Sequence, residues 1–409
     1  MSKIEKGKVK VGVVGCGVVA SAYYLPYLME RCELVAVCDL TVQRAKDCAR
    51  LFGAKEVYAD YHEMLAKADI DAVWILTGPG THKAFTIAAA EAGKHVLLQK
   101  PMATDKEDAD AIQAAIKKAG VKCLVEPSQQ SPLQRPFPKL RELVKAGALG
   151  DPYWFSFVWT GPDHDNGGLG HNPYGAAAFL TKESGGILFD YAYGPSQIVS
   201  VLGACKSVMA MAALQVPERP IVPERDYTDY LSKATDPKDA NYWDAVVSAP
   251  KTDTARTEAP DTYNILYEMA SGWIGMFHVG RPFQPIPKGV RSGAMEVFGT
   301  EGNLYFDPRP GIHSTISSTR RELLDDPDED GWQSFEKEGD LSKAKWPKPT
   351  PGGFNYYHES SRELLECIEE DRDTLLDEDW GAHINEMLSG AAESARTGKK
   401  YVMTTSVDW

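Results

Sequence analysis

At 409 residues the chain exceeds one ordinary hydrophobic core, so two domains are expected. Its 43% hydrophobic and 25% charged residues are those of a globular protein, and a net charge of −14 argues against a nucleic acid or an anionic membrane surface as partner. No run of about 18 apolar residues is present to span a bilayer. The polar start, Met1 to Lys10, lacks the apolar core of a signal peptide, and seven scattered cysteines without a C-x-x-C pair suit reduced thiols. A cytoplasmic location is the expectation.

In chain order, Val9 to Val14 is a β-branched apolar strand, followed by the turn Gly15-Cys16-Gly17-Val18-Val19-Ala20. A helical pattern covers Ser21 to Glu30, and a second strand, Leu34 to Val37, ends in Cys38-Asp39. Strand, glycine turn, helix, strand and acid together form a dinucleotide fingerprint. Gly15 permits the sharp turn, Gly17 leaves the backbone open to a pyrophosphate, and the small Ala20 lets the helix pack close. The backbone from Gly15 and Gly17 through Val18 and Val19 would line the cofactor at a helix N-terminus. Asp39 can accept both ribose hydroxyls and would repel a 2′-phosphate, which predicts NAD, with NADP the less favoured cofactor because Arg44 lies close enough to soften the repulsion. Helices over Gln43 to Phe52 and from Tyr61, and strands at Val57-Tyr58, Asp71 to Thr77, His95 to Leu98 and Val121 to Val125, continue a β-α-β alternation. A doubly wound parallel sheet is therefore expected to residue 126. Ligands bind beyond the carboxyl ends of such strands. Asp39, Thr77, Gly78, His82, Gln99, Lys100 and Glu126 all fall at or just past such ends.

The pattern then changes. Tyr153, Phe155, Phe157 and Trp159 alternate as one face of a strand. Residues 161–175 form a polar, glycine-rich loop carrying Asp163, His164, Asp165, His171 and Tyr174, of the kind that often covers a site. Gly185-Gly186-Ile187-Leu188-Phe189-Asp190 leads into a helix ending at Leu202-Gly203. From Tyr263 onward, alternating strands at 263–269, 273–279, 295–298 and 303–306 predict an antiparallel sheet, and late helices cover Tyr356 to Asp371 and Gly381 to Thr397. Two inserts rich in proline and charge, about 216–260 and 308–351, are expected as surface loops. The domains are thus expected at 1–126 and 127–409, the second an α+β unit with a large, mostly antiparallel open sheet.

The glycine turn, Thr77 to His82, "GKHVLLQKP", the Gly185 to Asp190 segment, "GTEGNL" and "SARTGKKY", in this order, resemble the Gfo/Idh/MocA family, the glucose-fructose oxidoreductase and inositol dehydrogenase group. The resemblance implies a Rossmann domain, an α/β substrate domain, and oxidation or reduction of a hydroxyl on a sugar or cyclitol. The family's lysine falls on Lys100, and its preceding glutamate is here Gln99. The family's second-domain acid falls on Asp190. Its usual proton-transferring His or Tyr, counted forward from Asp190, falls on Gly194, which cannot do the job; counted back from the helix end it falls on Tyr193. Tyr193 is taken as the catalytic group, and with an ordinary pKa near 10 it would need help from Lys100. His164 and His171 are rivals for base or substrate contact, since imidazole titrates near neutrality, and Glu126 is a further substrate candidate. Their spacing fits no zinc pattern, so no metal is expected.

The resulting expectation is an NAD-dependent dehydrogenase of a sugar, cyclitol or glycoside, self-associating as a dimer or tetramer. One alternative is an NAD-dependent glycosidase that oxidises its sugar transiently, eliminates the aglycone, adds water and re-reduces. Another is a catalytically inactive NAD-binding sensor, which Gln99 and Gly194 keep open.

Overall fold

A computed structural model describes residues 8–128, 131–133, 137–160, 180–221, 230–240, 250, 252–280, 294–306, 315–325, 327–328, 331–334 and 357–408. Among these residues two large sheets form. The first holds β1 (Lys10–Val14), β2 (Glu33–Cys38), β3 (Glu56–Tyr58), β4 (Ala72–Ile75), β5 (His95–Leu98) and β6 (Cys123–Val125) in the order β3-β2-β1-β4-β5-β6. All its pairings are parallel. Parallel strands are covered on both faces, so they are apolar along their whole length; Ala72, Val73, Trp74 and Ile75 are each fully buried. The connecting helices are α1 (Leu25–Arg31), α2 (Val42–Phe52), α3 (Tyr61–Lys67), α4 (Pro79–Glu91) and α5 (Lys106–Ala119). Glycines close α2 and α5 in the left-handed conformation, at Gly53 and Gly120. Before α1 the helix runs through a π turn, Ala20–Tyr24, immediately ahead of Pro26, which has no N–H to continue an α-helical ladder.

The second sheet is mixed and mostly antiparallel. After α6 (Phe137–Lys145) come β7 (Pro152–Thr160), α7 (Ile187–Asp190), α8 (Tyr193–Leu202), β8 (Cys205–Ala213), β9 (Glu218–Ile221), β10 (Asp253–Arg256), β11 (Thr262–Met269), β12 (Ile274–Gly280), β13 (Ala294–Gly299), β14 (Gly302–Phe306), β15 (Thr315–Ser318), β16 (Gln333–Ser334), α9 (Tyr357–Glu370), α10 (Glu378–Thr397) and β17 (Tyr401–Val402). Nine of these strands are ordered β16-β15-β14-β13-β7-β12-β11-β8-β17, and β7 and β12 form its parallel pair. Phe155, Phe157, Tyr267 and Phe277 pack on the face that carries the helices. The other face is open: Met209, Leu266 and Met276 lie side by side across β8, β11 and β12.

The first insert departs from the surface loop expected of it. β9 and β10 pair as a separate ladder, anchored by a buried Arg219–Asp261 ion pair at 2.9 Å. Leu231, Ala234 and Ala240 are buried against the first domain. There Arg50 donates to the carbonyl of Ala234 (2.9 Å), Ser232 to Asp47 (2.9 Å) and Ser21 to the carbonyl of Ala240 (3.1 Å). Apolar residues spaced through a charged stretch thus serve as docking points. The C-terminal tail is also structured. The buried Glu386 carboxylate accepts from the backbone N–H groups of Thr404 and Thr405 at 3.0 and 2.8 Å, and from Tyr401 at 2.8 Å. Among the described residues no helix is long and apolar enough to cross a membrane. All seven cysteines are free.

Candidate active site

The carboxyl edge of the parallel sheet starts at the glycine turn. Gly15 has φ +92°, and a Cβ there would stand 2.7 Å from the carbonyl oxygen of Leu76, so only glycine fits between β1 and β4. A Cβ on Gly17 would meet nothing within 4 Å, so the backbone at that position faces open space. Asp39, at the end of β2, leans back over this turn: its carboxylate accepts from Cys16 N–H and Thr41 N–H, both at 2.7 Å. An acid is thus held by two N–H groups beside a turn whose backbone is open at Gly17. Arg44 lies in the first turn of α2, with its N–H bonded to the carbonyl of Thr41 (2.8 Å).

At the end of β4, Gly78 caps α4, and the Thr77 and Thr81 hydroxyls pair at 2.7 Å. His82 is fully buried, its Nδ1 2.7 Å from the carbonyl of Pro101 and its Nε2 3.0 Å from that of Thr77. It braces the β4 and β5 turns from within, and burial holds its pKa below the ordinary value.

Lys100 follows β5. Its Nζ reaches the Oδ1 of Asp190 at 2.5 Å and the carbonyl oxygen of Asp190 at 3.2 Å, with the two side chains only 10% and 15% exposed. A pair separated by 90 residues thereby joins the two domains at one point. Asp190 is set by the glycines before it. Gly185 and Gly186 have φ of +77° and +71°, and a Cβ on either would come within 2.5 Å of Phe189 or Ala259. Tyr193 opens α8, its ring centroid 5.1 Å from the Lys100 ammonium. Trp159, at the end of β7, stands 5.8 Å from that ring and 5.6 Å from Tyr191. At Gly194, the next position, a Cβ would sit 2.3 Å from Phe277, so β12 leaves no room for a side chain there.

Glu126, expected to face substrate, turns inward instead. It is 3% exposed, and its oxygens accept from the Tyr24 hydroxyl (2.7 Å) and from Ser128 N–H. Burial pushes its carboxyl up from the ordinary value, against the pull of these donors. Gln99 is likewise enclosed, donating to Tyr24 at 2.8 Å. His164 and His171 lie outside the described residues. Tyr24 was the residue missed, although a tyrosine on the buried face of a helix, beside Leu25 and Leu28, requires a partner for its hydroxyl.

A model of the oxidoreductase family with an NAD-binding Rossmann fold matches residues 9–126, and the companion model of the C-terminal domain matches residues 137–305. The chain belongs to the Gfo/Idh/MocA family. Within the family it is 30% identical over 166 residues to an inositol 2-dehydrogenase of Klebsiella pneumoniae, a match covering 40% of this chain and 48% of that protein. The chain thus spans about half the length of the curated relatives it matches. Levoglucosan dehydrogenase, solved with NADH and levoglucosan, superimposes with a TM-score of 0.72 at 19% identity, over 97% of this chain and 99% of that one. A dehydrogenase of Bordetella pertussis, solved with NADH and UDP-GlcNAcA, gives 0.67 at 20% identity, over 97% and 99%. At these identities the likeness concerns the fold.

Proposed function

We propose that this chain is an NAD-dependent oxidoreductase that moves a hydride between nicotinamide and a hydroxyl-bearing carbon of a sugar, cyclitol or glycoside. The observation that carries it is the Lys100–Asp190 pair, with Tyr193 over it, at the carboxyl edge of a dinucleotide-type sheet. The residues present fit the cofactor. The open backbone at Gly17 suits a pyrophosphate, and Asp39, acceptor-only and fixed by two N–H groups, suits the ribose diol of NAD better than the phosphate of NADP. Arg44, Thr77 and Gly78 line the same edge. When bound, the nicotinamide supplies the hydride acceptor or donor.

The chain's own residues supply position and proton handling. Lys100, aimed by Asp190, donates to the substrate oxygen and stabilises negative charge there. Tyr193 exchanges the hydroxyl proton, with the lysine ammonium facing its ring. Trp159, partly exposed and packed edge-on against the buried Tyr191, offers an aromatic face beside this point for the apolar side of a sugar ring. Self-association through the open sheet face is part of the same proposal, supported by the exposed Met209, Met211, Leu266 and Ile274.

The test begins by denaturing purified protein and assaying the supernatant for NAD(H) and NADP(H), then scanning sugars, cyclitols and aryl glycosides with added NAD. NAD reduction with a sugar or cyclitol is the expected result. Aglycone release with no net NADH would replace the dehydrogenase by a glycosidase, and cofactor binding without any turnover would leave a sensor.

A further inference from the structure

Beneath Lys100 a buried hydrogen-bond chain links three elements of the first domain. Lys100 N–H donates to Gln99 Oε1 (2.9 Å), Gln99 Nε2 to the Tyr24 hydroxyl (2.8 Å), and that hydroxyl to Glu126 Oε1 (2.7 Å). At the far end Glu126 Oε2 accepts from Ser128 N–H. Tyr24, Gln99 and Glu126 are all buried. The Ser360 and Ser128 hydroxyls also bond Glu126. Helix α9, which carries Ser360, is pinned to β4 by Trp74 donating to Ser361 at 3.1 Å.

Both ends of the chain are backbone N–H groups, which can only donate. An amide and a hydroxyl each pass the direction of donation onward, and only a carboxylate accepts from both sides. The chain therefore needs one carboxylate, at position 99 or at position 126. Two would share the single Tyr24 proton and hold like charges together. None would set two donors face to face. The Ser360 and Ser128 hydroxyls can each rotate to serve either arrangement.

We propose that Glu126 is a positioning residue: through Tyr24 and Gln99 it fixes the backbone of Lys100 and so keeps the lysine Nζ on Asp190. This rests on the role given to Lys100 above. It also accounts for a glutamine at position 99, because the carboxylate the chain requires stands one strand over.

The test uses the full chain with Glu126→Gln, Gln99→Glu and the two combined. One readout is the rate at which an amine-acylating reagent modifies Lys100 at a single pH, followed by mass spectrometry without substrate. The other is kcat and KM for NAD reduction. Each single variant should label Lys100 about threefold faster or more and lose about tenfold in kcat, with a smaller change in KM. The paired variant should return both to within about twofold of the original chain. A merely structural role would change thermal stability and leave Lys100 labelling alone. Labelling unchanged in the single variants, or no better in the pair than in the singles, would overturn the proposal. If no polyol reduces NAD, the functional reading fails while labelling still decides the relay. Should the paired variant not fold, Tyr24→Phe, which removes only the central oxygen, must label Lys100 fast; labelling at the original rate would overturn the proposal.

Discussion

Asp39→Asn is a one-atom change whose effect can be worked out from the turn. Both oxygens of Asp39 face backbone donors, Cys16 N–H and Thr41 N–H, each at 2.7 Å. Asparagine keeps one acceptor and turns an NH₂ toward the other N–H, whichever way the amide flips. One charge-assisted bond is lost and one donor is left facing another, so the apo protein should lose about 2 to 4 kcal/mol. The ribose diol loses its charged acceptor at the same time, and the Kd for NAD should rise at least about tenfold. Denaturant unfolding of the apo protein measures the first effect, and titration with NAD and NADP by fluorescence measures the second. If Asp39→Asn unfolds with the original chain and binds NAD as tightly, then Asp39 neither holds the turn nor reads the ribose.

Three further outcomes follow from the geometry. Tyr193→Phe should lower kcat by about a hundredfold while NAD affinity stays within about twofold, because only the proton-transferring oxygen is removed; steady-state kinetics with equilibrium titration checks it. Gly194→Ala puts a methyl 2.3 Å from Phe277 and should cost about 1 to 3 kcal/mol by thermal melting, part of it recovered by Phe277→Leu. His383 is buried, accepts from Cys205 N–H at 2.9 Å, and has its pKa pushed down to about 4 from an ordinary 6.5 by burial. The folded state thus resists a proton that the unfolded chain accepts. This stability is present in full above about pH 6.5 and is lost as pH falls through 4, a difference of about 3 kcal/mol. Denaturant unfolding from pH 7 to 4 should show a shallower decline in His383→Gln, and parallel curves would contradict the assignment.

The parallel half of the fold was legible because its chemistry is local. Buried strands are continuous apolar runs, and glycines at 53, 93 and 120 mark helix ends. β8 escaped because, Val208 apart, Lys206 to Ala213 is built from Lys, Ser, Met and Ala, which carry little strand preference; it is held by pairing to β11, distant in the chain. The docking of the first insert escaped because its few apolar contacts are embedded in charge. Spacing alone did not show why position 194 carries a glycine. The reason is Phe277, far along the chain and opposite Gly194 in space. The inward turn of Glu126 was hidden in the same way, since its distant partners, Tyr24 and Ser360, come from a π turn and a late helix. Lys100 and Asp190 could be paired from sequence only through the family resemblance, and the structure places them in contact.

The reaction proposed for this chain is hydride transfer between a polyol carbon and nicotinamide. The most direct measurement is isotope transfer: the purified protein is incubated with NAD and sugars or cyclitols deuterated at their carbinol carbons, and the mass of the recovered NADH is measured. The NADH should carry deuterium, with transfer abolished in Lys100→Met. NADH without deuterium, or no NADH with any such polyol, would contradict it.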